Sequence, residues 1–289
     1  MKPSRPAQPY LLLLPTALVL AVFFFYPLGV AVHSSFFDWD LLTPPRFVGL
    51  DNYRALHESG ELWRTLTTTV LISVVVVLGS MGLGLALALA LDRPGRFVAF
   101  VRGAIFSAYV VSWVSVALLW LWVLDADAGA LSRALQAIGF GRVNFLGDPA
   151  IAPYSVAAVT IWKVAGYSMV IFLAGLQDIP TPVLEAAQLD GAGAVARFRS
   201  IIWPLLRPTA AFVATTSLIL SFQVFDVVRV MTQGGPVHST TVFVYAIYEQ
   251  VFLDLRIGRA SALVVIFFVV LLGLTLLELW AFRSKERAT

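Results

Sequence analysis

The sequence contains no cysteine, so disulfides, thiol nucleophiles and thiolate metal sites are excluded. Charge is scarce. Asp, Glu, Lys and Arg make up 13% of 289 residues, too few to keep a soluble domain of this length dissolved. Lysine occurs only at Lys2, Lys163 and Lys285, none of them in a Gly-x-x-x-x-Gly-Lys-Ser/Thr loop. The chain is therefore not itself a P-loop ATPase. The histidines, His33, His57 and His238, lie far apart and outside the apolar runs, which argues against a His-rich metal site. No Gly-x-Ser-x-Gly elbow, His-Glu-x-x-His pair or dinucleotide fingerprint occurs, so enzyme readings have no support. The basic residues form no long cluster, and nucleic acid is not an expected partner.

What the chain does have is apolar length: 59% of its residues are hydrophobic. Six runs reach the roughly 20 residues needed to cross a bilayer as helix. They predict spans at 10–32, 65–91, 101–124, 154–176, 206–229 and 260–282. The first run is longer than a signal-peptide core and lacks a small-residue cleavage site, so it reads as an uncleaved span. The result is an all-α, multi-pass membrane protein set in lipid. Basic residues predict cytoplasmic N- and C-termini. That orientation puts eleven inside (Lys2, Arg5, Arg93, Arg96, Arg102, Arg197, Arg199, Arg207, Arg283, Lys285 and Arg287) and eight outside (Arg46, Arg54, Arg64, Arg133, Arg142, Arg229, Arg256 and Arg259).

The polar stretch EAAQLDGAGAVARFRSIIWP, residues 185–204, then lies in the longest cytoplasmic loop, 177–205. Pro180 and Pro182 precede it, suiting a break after the fourth span. LEAAQLDGAG reads as a short helix ended by Gly191, the residue type best suited to a left-handed turn. AVARFRSIIWPLL then leads helically back into the membrane. Ala186 and Ala187 are small enough for a partner surface to approach closely, and Glu185 offers it a carboxylate.

The spacing of Glu185, Ala186, Ala187, Asp190, Gly191, Ala192, Ile201 and Pro204 resembles the EAA signature of binding-protein-dependent ABC importer permeases. Trp203 departs from it, standing where the family usually has Leu. FFDWDLLTPPRFVGLDNYRAL (36–56), WKVAGYSMVIFLAGLQDIP (162–180) and FDVVRVMTQGGPVHSTTVFVYAIYEQVF (225–252) look like the matching stretches of the carbohydrate-type branch. That branch includes the larger maltose permease and the first glycerol-3-phosphate permease.

The resemblance implies a single permease domain over 1–289 with the type I importer fold, its core spans at 65–282. It implies a second homologous permease, an ATPase dimer carrying ATP and Mg, and an extracytoplasmic solute-binding protein as partners, with no cofactor on this chain. It implies a bacterial plasma-membrane location and a sugar-like or polyol solute. Glycerol-3-phosphate or a glycerophosphodiester is the second solute reading, and a secondary transporter acting alone is the remote alternative. Glu185, Ala186, Ala187, Asp190 and Gly191 would form the helix that docks on the ATPase. The chain lacks the very large extra outside domain of the maltose permease.

Polar residues inside spans are costly and default to functional hypotheses. Lys163 and Asp226 enter from the same side and could pair, either as a structural ion pair or as solute contacts. Ser217 and Ser221 lie four apart on one helical face beside Gln223. They suit either a polyol, whose hydroxyls both donate and accept, or hydrogen bonding between helices. Ungapped alignment through the EAA motif puts Tyr167, Ser217, Leu220, Ser221 and Val224 where the maltose permease lines its sugar site. Ser221 and Val224 stand where that protein has asparagine. Outside the spans, 130–139 reads as a short amphipathic helix, and Gly234-Gly235-Pro236 as a turn.

Overall fold

The computed structural model describes residues 8–139 and 141–286. Lys2, Arg5 and Arg287, used above for orientation, lie outside the described residues, as do the side chains of Arg283 and Lys285. In chain order the elements are α1 (Gln8–Leu20), α2 (Tyr26–Ser34), β1 (Phe37–Asp38), β2 (Arg46–Phe47), α3 (Asp51–Glu58), α4 (Glu61–Leu91), α5 (Arg96–Val110) and α6 (Trp113–Val123). They continue with α7 (Ala130–Ala137), α8 (Ala152–Gln177), α9 (Thr181–Leu189), α10 (Ala194–Arg197), α11 (Trp203–Phe222), α12 (Asp226–Met231), α13 (Phe243–Tyr248) and α14 (Ile257–Glu286). Short π-helical segments lie at Ala21–Phe25, Phe198–Ile202 and Glu249–Leu253.

Among the described residues, five helices are long and apolar enough to span a membrane, and α5 with α6 makes a sixth crossing if taken as one broken span. The six-span reading holds with two corrections. The third span is not continuous over 101–124, since its halves meet at Val111–Ser112 with a bend of 99°. The fifth span is also interrupted, at Gln223–Phe225, so Asp226 opens a new helix rather than continuing the old one.

Contacts separate the chain into two units. One joins residues up to Leu62 with Ala246–Val270. Its β1–β2 ribbon pairs Phe37 with Phe47 and Asp38 with Arg46. Buried Asn52 of α3 donates to the carbonyls of Ser35 and Phe37, both at 2.9 Å, tying α3 to the ribbon and the end of α2. Gln250 donates to Glu61 at 2.9 Å.

The other unit, Trp63–Tyr245 with the residues from Leu271 onward, is built around α8. Two thirds of the most apolar stretch of α8 is buried, more than for any other span described. A helix buried on nearly all sides needs small residues for close neighbours. Gly166 meets that need: a Cβ there would lie 2.6 Å from the Ile105 carbonyl oxygen, so α5 passes backbone to backbone. Met169, Phe172, Leu173 and Leu176 of α8 pack with Ala88 of α4 and with Leu206, Ala210 and Val213 of α11. The short helix and the turn predicted between spans are present too. α7 covers most of 130–139, and Thr240 and Thr241 donate to the Gly235 and Gly234 carbonyls in the expected turn.

Candidate coupling loop and solute path

The loop after α8 is a helix-turn-helix. Pro180 caps α9 in extended conformation and Pro182 lies in its first turn, where a missing N–H costs nothing. The far end is closed by two backbone bonds. Gly191 N–H donates to Gln188 C=O at 3.0 Å and Ala192 N–H to Ala187 C=O at 2.9 Å, with Gly191 at φ +77°. This is the Schellman arrangement, which satisfies the last carbonyls of a helix and asks for glycine at the left-handed position.

Glu185, Ala186, Asp190 and Gly191 are exposed, whereas Ala187 is buried against the chain's own body. Of the alanine pair, only Ala186 is therefore open to a close-approaching partner. Leu189 and Val195, on either side of the turn, are 89% and 80% exposed. Leu184, Ile202 and Trp203 pack on the α4–α8–α11 core. The loop thus shows one face to the surroundings and is rooted in the bundle by the other.

Lys163 lies fully buried on α8. It does not pair with Asp226. Its Nζ donates to the carbonyls of Ala108 and Tyr109, both at 3.1 Å, and to that of Val111, and stands 4.7 Å from the centroid of the Trp113 ring. An ammonium has three N–H donors, and all three are used. The acceptors are the carbonyls freed where α5 stops, so the lysine occupies the break in the third span. A side chain inserted into the helical ladder is a recognised cause of a sharp kink. A cation is also favoured at a helix C-terminus. Asp226 sits instead in the first turn of α12, where a carboxylate is favoured.

Tyr167, one turn on from Lys163, is half-buried and stacks on Tyr109 of α5 with centroids 4.8 Å apart and planes at 21°. Ser217 is fully buried and accepts a hydrogen bond at 3.3 Å from Ser80 of α4, the helix-to-helix alternative of the two readings. Ser221 is buried and donates to the Leu218 carbonyl of its own helix at 2.8 Å. Val224 is buried, Leu220 half-buried and Gln223 exposed. Tyr167 and Ser217 thus face different neighbours, α5 and α4, and no contact among the described residues joins them.

Tyr109 and Ser80 were absent from the sequence reading. Ser80 lies in a long apolar run, with buried Thr65, Thr69 and Ser73 before it on α4, a polar row that could have flagged it. Arg102 was counted there only for orientation. Its guanidinium donates to the Leu91 and Arg93 carbonyls, so a second cation closes a helix C-terminus, that of α4.

Residues 80–283 match the family described as binding-protein-dependent transport system inner membrane component. The sn-glycerol-3-phosphate transport system permease protein UgpA of Yersinia pseudotuberculosis serotype I (strain IP32953) is 33% identical over 294 residues, covering 99% of this chain and 99% of that protein. The sulfoquinovosyl glycerol transport system permease protein SmoG of Agrobacterium fabrum (strain C58 / ATCC 33970) is 32% identical, covering 96% and 90%. A chain in the crystal structure of a bacterial ABC transporter that imports the acidic polysaccharide alginate superposes with a TM-score of 0.81 at 25% identity. That match covers 95% of this chain and 94% of that one.

Proposed function

Because this chain belongs to the family of binding-protein-dependent transport system inner membrane components, we propose that it works as one of two permease subunits through which an ATP-driven importer passes a sugar or related polyol. The family is one of inner-membrane transport subunits, and the multi-pass architecture agrees with it. A separate ATPase dimer supplies the energy, and an extracytoplasmic binding protein delivers the solute. All 289 residues act as one permease domain with both termini in the cytoplasm.

The observation that carries this reading is the loop of α9. Its exposed face, with Glu185, Ala186, Asp190 and Gly191, is held in one shape by the paired closing bonds, and its inner face is keyed into the core through Leu184, Ile202 and Trp203. A push on such a loop moves α8 and α11 with it. Closure of the ATPase dimer would thereby swing the spans so that the cavity opens outward, and hydrolysis would let it return inward.

Tyr167, with Leu220, Ser221, Val224 and Gln223 at the end of α11, borders the solute path. Ser217 supports that path from behind, through Ser80. Lys163 and Asp226 shape its helix ends rather than hold solute. The identity with a glycerol-3-phosphate permease favours a phosphorylated polyol as the second reading. Against it stands the commitment of Lys163, the one lysine in the spans, to backbone carbonyls. A phosphate would then need another cation, from an arginine of this chain such as the half-buried Arg229 of α12 or from the partner permease.

The test is uptake by cells carrying the complete transporter. Glu185→Ala is expected to impair uptake while leaving the solute affinity of the purified binding protein unchanged. Normal uptake by that variant would remove the coupling assignment.

A further inference from the structure

The turn between α4 and α5 is braced from within. Arg102, in the second turn of α5, donates from Nε to the Leu91 carbonyl at 3.0 Å and from Nη2 to the Arg93 carbonyl at 3.1 Å. The Arg93 N–H donates to the Leu91 carbonyl at 2.8 Å. Pro94 and then Gly95, at a φ of +145° that favours glycine, complete the turn.

With Arg102 committed to carbonyls, Arg93 and Arg96 are the cations left on this turn. Both are exposed, and neither guanidinium has a hydrogen bond or ion pair among the described residues. Asp92, the one acid in the turn, is exposed as well and pairs with neither of them. Two arginines thus stand three residues apart on a fixed backbone, with their charge unanswered by this chain.

The neighbouring residues set the depth at which they stand. Every residue of α5 is exposed or half-buried. In its first turns Phe97 and Phe100 are 77% and 72% exposed. Open phenyl rings at the end of a span are stable among acyl chains and costly in water, and such patches mark membrane contacts. Arg96 shares a face with Phe100, one turn away, and Arg93 just precedes it. Both side chains can run their stems along the apolar surface and place their charged ends among headgroups. A guanidinium fork matches two phosphate oxygens at once. A zwitterionic headgroup brings its own cation beside the phosphate, whereas an anionic one leaves a net charge that complements two unpaired arginines.

We propose that Arg93 and Arg96 hold the phosphate of an anionic phospholipid, with its acyl chains lying over Phe97 and Phe100. With both termini cytoplasmic, the lipid belongs to the inner leaflet. Arg102 positions the pair by fixing the turn that carries them.

The test uses the assembled transporter in nanodiscs made of equal parts phosphatidylcholine and phosphatidylglycerol. Lipid that stays with the complex through detergent washing is identified by mass spectrometry. Phosphatidylglycerol is expected in excess. A basic residue at an anionic surface is worth about fivefold in binding, so Arg93→Gln or Arg96→Gln alone lowers the excess about fivefold and the double variant about thirtyfold. Arg93→Lys/Arg96→Lys, which keeps the charge, retains most of it. Arg199→Gln/Arg207→Gln, which removes the same charge from two other exposed arginines, leaves it unchanged. If the Arg93→Gln/Arg96→Gln chain fails to accumulate, either single variant decides. Retention of the two lipids in proportion to their supply overturns the proposal, as does an equal loss in the Arg199→Gln/Arg207→Gln chain. An Arg93→Gln/Arg96→Gln chain that sheds the second permease or the ATPase, with phosphatidylglycerol unchanged, makes this face a protein interface and overturns it too.

Discussion

Ser80 and Ser217 meet hydroxyl to hydroxyl at 3.3 Å between α4 and α11, neither of them with any solvent exposure. Hydrogen bonds of this kind between membrane helices contribute about 0.6 kcal/mol on average and at most about 1.7. Ser217→Ala should therefore lower the unfolding midpoint of the detergent-solubilised chain slightly and leave solute preference unchanged. Ser80→Ala should do the same, and the double variant should cost little more than either single one. A change in solute preference with Ser217→Ala alone would return that residue to the solute path.

Gly191 separates backbone conformation from crowding. A Cβ there would meet nothing within 4 Å, so only its φ of +77° resists substitution. The left-handed region costs a residue with a side chain roughly 1–2 kcal/mol, least for Asn and most for β-branched residues. Gly191→Asn should keep uptake near the parent level, while Gly191→Val should reduce it severely. Equal loss in both would mean that the surface at this point, rather than the turn, is what the partner reads.

Gly166→Ala tests the opposite case. The added methyl would fall 2.6 Å from the Ile105 carbonyl oxygen and 3.1 Å from the Phe106 Cα, both backbone atoms that cannot rotate away. Overpacking of this kind costs about 1–3 kcal/mol. Uptake and thermal stability should fall together. Gly193→Ala, with open space around it, should change neither.

Asp125, in the loop after α6, accepts hydrogen bonds from the backbone N–H groups of Ala128 at 2.7 Å and Asp127 at 3.0 Å. These bonds, the Ala128 one foremost, hold its carboxyl below the ordinary carboxylate range, and the nearby Arg142 adds to the effect. A carboxylate whose folded pKa is depressed stabilises the loop at neutral pH, and that contribution is lost as pH falls through the depressed value. Hydrogen exchange at the Ala128 amide should stay slow, after correction for intrinsic rate, from neutral pH down to about pH 4, the ordinary carboxylate range, and quicken only below it. Asp125→Asn should abolish that dependence.

Most of the architecture was legible because membrane spans are written in composition. Six apolar runs predicted six crossings, and Gly191 with Pro180 and Pro182 marked the ends of α9 from local chemistry alone. The break at Val111–Ser112 was not legible, since no local residue marks it and Lys163, which occupies it, lies 52 positions from Val111. Tyr109 was missed for the same reason. Pairing Lys163 with Asp226 followed from charge and depth, but the carbonyls freed beside Lys163 are closer acceptors than any carboxylate. The helix-to-helix contact of Ser217 was not legible, because its partner Ser80 lies 137 positions away.

Whether the α9 loop docks a separate ATPase, the claim on which the coupling role stands, is decided by co-purification. With an affinity tag on this chain, material extracted from native membranes should bring a P-loop ATPase with it. The Glu185→Ala/Gly191→Val chain should lose that ATPase while keeping the second permease. A wild-type chain that purifies without an ATPase and still moves solute in vesicles would contradict the claim.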